Sequence, residues 1–463
     1  MKYVSTRGQA PNLGFCDSVL AGLASDGGLY LPDEWPRLTS RDIASLANRP
    51  YRDVAFEIIS RFVDGEISDT ALNSIIGGAY SCFRHPSVAP LAELEPGLFA
   101  LELFHGPTLA FKDIAMQVLA RVMDHILAQR GQRATIIGAT SGDTGSAAIE
   151  AFRGRENTDI FILHPKGRVS PVQRRQMTTV LDENVHNIAV EGSFDDCQNL
   201  VKALFLDEAF RDDVHLSGVN SINWGRIVAQ IVYYFTAATA LGAPHRKVSF
   251  TVPTGNFGDV FAGYSAHQMG LPIEKLVIAT NSNDILRRTF QTGTYQIDGV
   301  VSTQSPSMDI EISSNFERLL FESAQRDAGA VRAMMDSLQQ SGGFEIARGT
   351  MKNLTRHFSV GSANEAETTQ SIADTLAGSQ YLADPHSAVG LHVARRQKKI
   401  SAPMVALATA HPVKFAKAVR SACGIEPDLP DWLSDLHERT ERCDVLAIDT
   451  RALQEYIRAR IRA

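Results

Sequence analysis

The sequence predicts an α/β protein built on two open, mostly parallel sheets flanked by helices, with a helical cap at its N-terminus. From about residue 85, apolar runs such as LFALELF (98–104), RATIIGA (133–139) and DIFILHP (159–165) alternate with amphipathic stretches. That alternation marks strand–helix–strand units in a parallel sheet. The cycle recurs in VHLSGVNSINWGRIVAQIVYYFTAATAL, VSFTVPTGNFGDVFAGYSAHQMG and KLVIATNSND, which calls for a second sheet. The 463 residues, 44% hydrophobic and 21% charged, are enough for about three domain-sized units of ordinary globular composition.

In chain order, residues 1–84 form the expected cap and residues 85–463 two α/β domains. Lys2 to Ser5 reads as a short strand, and DSVLAGLAS as a helix with Asp17 as its N-cap. The turn-rich DGGLYLPDEWP precedes amphipathic segments at RDIASLANR, YRDVAFEIISRFV and ISDTALNSIIGGAY. LFALELF then leads into FHGPTLAFKD (104–113) and a helix over Asp113 to Gln129, and residues 133–152 read as strand, glycine-rich turn and helix. Residues 281 to about 345 mix loops and helices around STQSPSMDIEISSNFERLLF. Helices are expected at ETTQSIADTLAG and DPHSAVGLHVARR, a strand at VALATA (405–410), a helix from about Pro412, and a surface helix in DTRALQEYIRARIRA.

Composition excludes several function classes. The 45 Lys+Arg and 52 Asp+Glu give −7 without a long single-sign block, so neither nucleic acid nor an anionic membrane is an expected partner. Cys16, Cys82, Cys197, Cys423 and Cys443 are scattered, odd in number and free of CxxC pairs, which predicts no disulfide framework and no metal site. MKYVSTRGQAPNLGF lacks an apolar signal core, and no run approaches membrane-spanning length. A soluble, cytoplasmic protein is expected.

Lys112 is the first residue that carries chemistry. Leu109, Ala110 and Phe111 precede it, and Ile114, Ala115, Met116, Val118 and Leu119 follow at the spacing of a buried helical stripe. A lysine pointing inward there loses solvation, deprotonates more easily and becomes a nucleophilic amine able to condense with a carbonyl. The alternative is a lysine whose ammonium reaches water or pairs with Asp113. TVPTGNFGDVFAGY puts Gly255 and Gly258 between a strand and a helix, where backbone N–H groups converge on an anion such as phosphate. It has neither the Lys-Ser/Thr ending of a nucleotide loop nor GxGxxG spacing. GATSGDTGSAA brings Ser141, Gly142, Asp143 and Thr144 to a second helix start. That turn suits a carboxylate, and plain capping by Ser141 or Asp143 accounts for the same residues. A condensing lysine, a phosphate cradle and a carboxylate cradle together are what pyridoxal 5'-phosphate requires.

FHGPTLAFKD, TSGDTGSAA, NSINWGR, PTGNFGD, SPSMDI with SSNFERL, DPHSAVG and ATAHPVKF resemble the threonine synthase family, in its bacterial and fungal branch, from STRG to at least Lys414. The resemblance implies a fold-type II pyridoxal phosphate lyase. Its reaction converts O-phospho-L-homoserine and water to L-threonine and phosphate, the last step of threonine biosynthesis. It implies that Lys112 holds the cofactor, that Gly255, Asn256, Phe257 and Gly258 form its phosphate loop, and that Thr409 lies beside the pyridine nitrogen. Ser141 to Gly145 match the loop used for the substrate carboxylate, and Asn223, Arg226, Ser307 and Lys414 are candidates for the substrate phosphate. Asp143 stands where more distant relatives carry Asn beside the ring oxygen, which leaves it two roles: facing the ring or capping. His105, His386 and His411 fall inside family-like motifs, where acid–base and structural roles both stand open. Asp309 is either a partner for a pocket cation or a cap. Members of this branch are often monomeric. The nearest enzymatic rival is a serine or threonine dehydratase, which needs no second phosphate site.

Overall fold

The computed structural model describes residues 1–397 and 401–462. Residues 398–400 and Ala463, the last residue of the expected C-terminal helical stretch, lie outside the described residues.

Two sheets organise the described chain. The larger has six strands, in the order Phe358–Ser362, Ile273–Thr280, Val248–Pro253, Met404–Ala408, Leu98–Glu102 and Leu91–Glu95. All its neighbours pair in parallel except the last two, which are antiparallel. The smaller sheet has five parallel strands, Asp444–Leu446, Val185–Val190, Thr158–Pro165, Ala134–Ala139 and Leu216–Gly218. The α/β expectation of two open, mostly parallel sheets is met. Central strands such as Val248–Pro253 and Thr158–Pro165 are buried throughout, as strands covered by helices on both faces must be.

Chain order and sheet order differ. Leu98–Glu102 belongs to the larger sheet, yet the chain then builds four strands of the smaller one before returning at Val248 and, much later, at Met404; the last strand of the smaller sheet, Asp444–Leu446, follows after that. Each visit leaves a turn at the carboxyl end of a strand, where ligands collect in open α/β sheets.

The N-terminal layer pairs Tyr3–Ser5 with Tyr30–Pro32 and adds the helices Phe15–Ala21, Ser40–Ser45, Tyr51–Val63 and Asp69–Tyr80. It is welded to the rest through aromatic packing on the fully buried Trp224, whose ring lies 6.0 Å from Tyr3, 6.1 Å from Trp35 and 5.7 Å from Phe62. Arg318, also fully buried, donates to the carbonyls of Tyr30 and Ile222. Asp17 does not cap its helix: Gly14 is the N-cap, and the Glu66 carboxylate accepts the N–H groups of Phe15 at 2.7 Å and Cys16 at 3.0 Å. The C-terminal helix, Thr450–Arg458, was expected on the surface, but Leu453 and Ile457 are buried against the smaller sheet. A three-residue strand just before it, Asp444–Leu446, had no visible signature.

Among the described residues no helix is long and apolar enough to cross a membrane, no cluster of metal-ligating side chains occurs, and all five cysteines are free.

Candidate active site

Lys112 opens the helix Lys112–Arg130, directly after the loop that leaves strand Leu98–Glu102. Leu109, in that loop, holds φ at +61°, a conformation that costs a branched residue energy and is retained here by burial against Val413, Leu433 and Leu436. Asp113 does not pair with Lys112. It accepts the Thr108 N–H at 2.8 Å and hydroxyl at 2.6 Å, which closes the loop. A Cβ on Gly106 would sit 2.5 Å from Asp113, so this closure requires glycine there.

Lys112 is only 8% exposed, and burial pushes its ammonium down from the ordinary lysine range, with Lys414 and Arg226 adding to the effect and Asp143 opposing it. Its Nζ lies 3.6 Å from Oδ2 of Asp143. Lys414, fully buried, places Nζ 2.9 Å from Oδ1 of the same carboxylate and donates to the Thr108 carbonyl at 2.6 Å. Gln173 donates to Asp143 at 2.8 Å and Ser307 at 3.3 Å. Although burial opposes charge on Asp143, Lys414 and Lys112 outweigh it and hold the carboxyl far below its usual range. The capping alternative for Asp143 therefore fails. The turn is wound instead by Thr140, whose Oγ1 accepts the N–H groups of Gly142 at 2.9 Å and Gly145 at 2.8 Å.

That winding leaves the hydroxyls of Ser141 and Thr144 and the N–H groups of Asp143 and Thr144 without hydrogen bonds among the described residues, at the start of helix Asp143–Phe152. Such a set suits a carboxylate.

The turn after Val248–Pro253 holds the second cradle. Thr254 Oγ1 accepts the Phe257 N–H at 3.1 Å, and Phe257 takes φ +63° with its ring buried 5.4 Å from Phe316. The N–H groups of Gly255, Asn256, Gly258, Asp259 and Val260 then make no hydrogen bond among the described residues. A Cβ on Gly255 would meet the Ile310 side chain at 2.6 Å, so any side chain there must first displace Ile310. Unpaired donors at a helix start, together with a buried lysine of depressed pKa, fit a phosphorylated carbonyl cofactor.

Thr409 directly follows strand Met404–Ala408, is buried, and keeps its hydroxyl free of hydrogen bonds among the described residues. Its carbonyl accepts the Phe111 N–H at 2.8 Å, which holds it beside Lys112. Among the described residues the Arg226 side chain, in a residue 4% exposed, makes one bond, from Nη1 to the Val219 carbonyl at 3.2 Å, and its Nε has no partner; burial pushes the guanidinium down to about 10. Asn223 is the N-cap of helix Trp224–Ala240, accepting from Gly225 at 2.9 Å and donating to the Val19 carbonyl at 2.8 Å, so its side chain is already engaged in structure.

Of the remaining candidates, His105 bonds Glu102 at 2.7 Å, and His411 accepts the Val413 N–H at 3.3 Å and is pushed down to about 4 by burial. Asp309 sits at the C-cap of the short 3-10 helix Pro306–Met308, where its carboxylate accepts from Asn281, Asn283 and Thr303 and meets no cation among the described residues. Gln173 and Asp384 carried no signal beyond, for Asp384, its place before Pro385 at a helix start.

Three family models match the chain: "Threonine synthase N terminus" over residues 2–80, "Pyridoxal-phosphate dependent enzyme" over 81–410 and "Threonine synthase, C-terminal" over 387–457. The threonine synthase of Pseudomonas aeruginosa is 53% identical over 459 residues, covering 99% of this chain and 98% of that protein. That of Saccharomyces cerevisiae is 42% identical over 458 residues, covering 91% and 88%. The crystal structure of pyridoxal-phosphate-bound threonine synthase from Brucella melitensis superposes with a TM-score of 0.99 at 60% identity over 100% of both chains. The Escherichia coli enzyme superposes at 0.83 with 31% identity, covering 99% of this chain and 100% of that one.

Proposed function

The chain belongs to the threonine synthase family and is a pyridoxal-phosphate-dependent lyase, and from that premise we propose how its own residues carry the family reaction. In that reaction O-phospho-L-homoserine and water give L-threonine and inorganic phosphate by γ-elimination and β-addition. The observation that carries this reading is the excess of buried positive charge: Lys112, Lys414 and Arg226 gather around a site in which Asp143 is the one carboxylate paired with any of them among the described residues. A dehydratase substrate brings no phosphate and gives Arg226 no partner.

When bound, pyridoxal phosphate supplies an electron sink for the electrons left by proton loss at Cα and Cβ. Lys112 would hold the cofactor through Nζ, and as a free amine it would be the base for the Cα proton; its low-lying pKa suits it to both tasks. The N–H groups around Gly255, Asn256, Phe257 and Gly258 receive the cofactor phosphate. Thr409 offers a neutral hydroxyl to the pyridine nitrogen. Ser141, Gly142, Asp143 and Thr144 orient the substrate carboxylate through the cradle at their helix start. Arg226 receives the leaving phosphate, and Asn223 serves it by fixing the start of the helix that carries it. Asp143 balances Lys112 and Lys414.

On this proposal residues 1–84 are a cap and residues 85–463 the catalytic region of two α/β domains. The enzyme acts in the cytoplasm on small molecules, a reading supported by its free cysteines and dispersed charge, and the resemblance to its branch of the family favours a monomer. The deciding experiment compares phosphate release from O-phosphohomoserine with ketoacid release from serine and threonine. Phosphate release that requires Lys112, with borohydride fixing the cofactor on that lysine's peptide, is expected; ketoacid as the main product would overturn the assignment.

A further inference from the structure

Resting on the roles given above to Lys112 and Thr409, we propose that Asp384 is a positioning residue: it sets the proton of His386 and, through His386 and Ser387, aligns two walls of the site against Lys112. Asp384 is 1% exposed and caps the helix Pro385–Arg395. Its Oδ1 accepts the His386 N–H at 2.9 Å and lies 2.9 Å from ring Nδ1; its Oδ2 accepts the Ser387 N–H at 3.3 Å and the Ser387 hydroxyl. Surrounded by donors, the carboxylate has only acceptor positions to offer, so the imidazole proton resides on Nδ1.

The opposite ring nitrogen then presents a lone pair, and it accepts the Ser307 N–H at 3.2 Å. Ser307 Oγ in turn reaches Asp143 Oδ2 at 3.3 Å, the oxygen that lies 3.6 Å from Lys112 Nζ. Along the second path the Ser387 hydroxyl, its proton given to Asp384, accepts the Thr409 N–H at 3.0 Å. The Thr409 carbonyl accepts from Phe111, next to Lys112. A helix cap needs only one side-chain acceptor for the first free N–H groups. Here both oxygens are engaged by side chains as well: the first path is pinned at Ser307, which donates through its N–H to His386 and through its hydroxyl to Asp143, and the second runs in one sense from Phe111 through Thr409 and Ser387 to Asp384. Reversing the imidazole proton would place an N–H against an N–H at Ser307.

Nitrogen-15 NMR of histidine-labelled enzyme, with and without cofactor, reads the tautomer directly, and the proton is expected on Nδ1 of His386 in both. His386→Asn keeps a donor toward Asp384 and loses the acceptor for Ser307, while Ser387→Ala cuts the path to Thr409. Each is expected to lower kcat by about 10–100-fold, as loss of outer-shell support does elsewhere, with substrate KM within about threefold and a displaced absorption band of the bound cofactor. His386→Gln, which returns an acceptor near Ser307, is expected to recover part of the loss. An Nε2 proton in the wild-type enzyme, or wild-type kcat and absorption band in both His386→Asn and Ser387→Ala, would overturn the proposal. Lys112→Ala, reduced with borohydride in parallel, separates the premises: cofactor still fixed to the protein there refutes the role of Lys112, whatever the tautomer of His386.

Discussion

Lys112 and Lys414 share one carboxylate, and the electrostatics of the site follow from that sharing. If Lys112 gives up its charge, Lys414 still balances Asp143, so the carboxylate is never left bare in a dry interior. Asp143→Asn removes the common partner and leaves two buried ammoniums facing Arg226. A loss of about 3–5 kcal/mol is expected in urea unfolding of the cofactor-free protein. Arg226→Ala should raise KM for O-phosphohomoserine at least tenfold while leaving cofactor affinity, titrated into the cofactor-free protein, unchanged; a weakened cofactor with an unchanged KM would reassign the guanidinium. Lys112 was legible in the sequence because its apolar neighbours are contiguous with it. The partners of Asp143 were not, since Gln173 and Lys414 reach it only through the tertiary fold. Lys414, one of four candidates for the substrate phosphate, is bound to Thr108 and Asp143, contacts that no sequence pattern announced.

Individual elements divide in the same way. Helices and parallel strands with strong periodicity were legible to within a few residues, as in Lys112–Arg130 and Thr158–Pro165. Leu91–Glu95 was not, because its LAELE pattern borrows most of its order from the antiparallel pairing with Leu98–Glu102. The C-terminal helix shows i, i+4 burial at Leu453 and Ile457 that a charge-rich sequence masked. Ile457→Ala should cost about 2–5 kcal/mol in chemical denaturation, the range for a truncated core side chain, where a surface helix would register almost nothing. Helix Gly258–Gln268 carries a different liability in its first turn. Asp259, bonded by Tyr233 and Tyr234, is pushed up to about 6 by burial. The unfolded value is near 3.9, so between about pH 4 and pH 6 the native state holds a proton that the unfolded chain has lost, and this residue's contribution falls as pH rises through that window. Asp259→Asn should flatten that part of the stability profile; an unaltered slope would show that the carboxyl titrates normally.

Across the whole molecule, the N-terminal layer and the site are mechanically one object. Arg318 bonds Tyr30 in that layer, Ile222 ahead of Arg226, and Asn315, whose side chain also donates to the Asn256 carbonyl in the phosphate loop at 3.0 Å. Arg318→Leu would strand those buried carbonyls, and a loss of about 3 kcal/mol together with a raised substrate KM is expected from calorimetry and steady-state assays. The two-sheet architecture could be inferred from the alternation of strands and helices, but the order in which the strands sit could not, since periodicity carries no information about lateral neighbours. That order places Met404–Ala408 between Val248–Pro253 and Leu98–Glu102, and brings Asp444–Leu446 to an edge of the other sheet. During synthesis on the ribosome, the nascent polypeptide must carry two unmated strand edges until nearly the entire message has been read, an interval in which chaperones have open hydrogen-bonding surface to shield. A premature stop anywhere before codon 404 therefore yields a product with neither a closed central sheet nor Thr409 and Lys414, and no late rescue by cofactor supply can mend it.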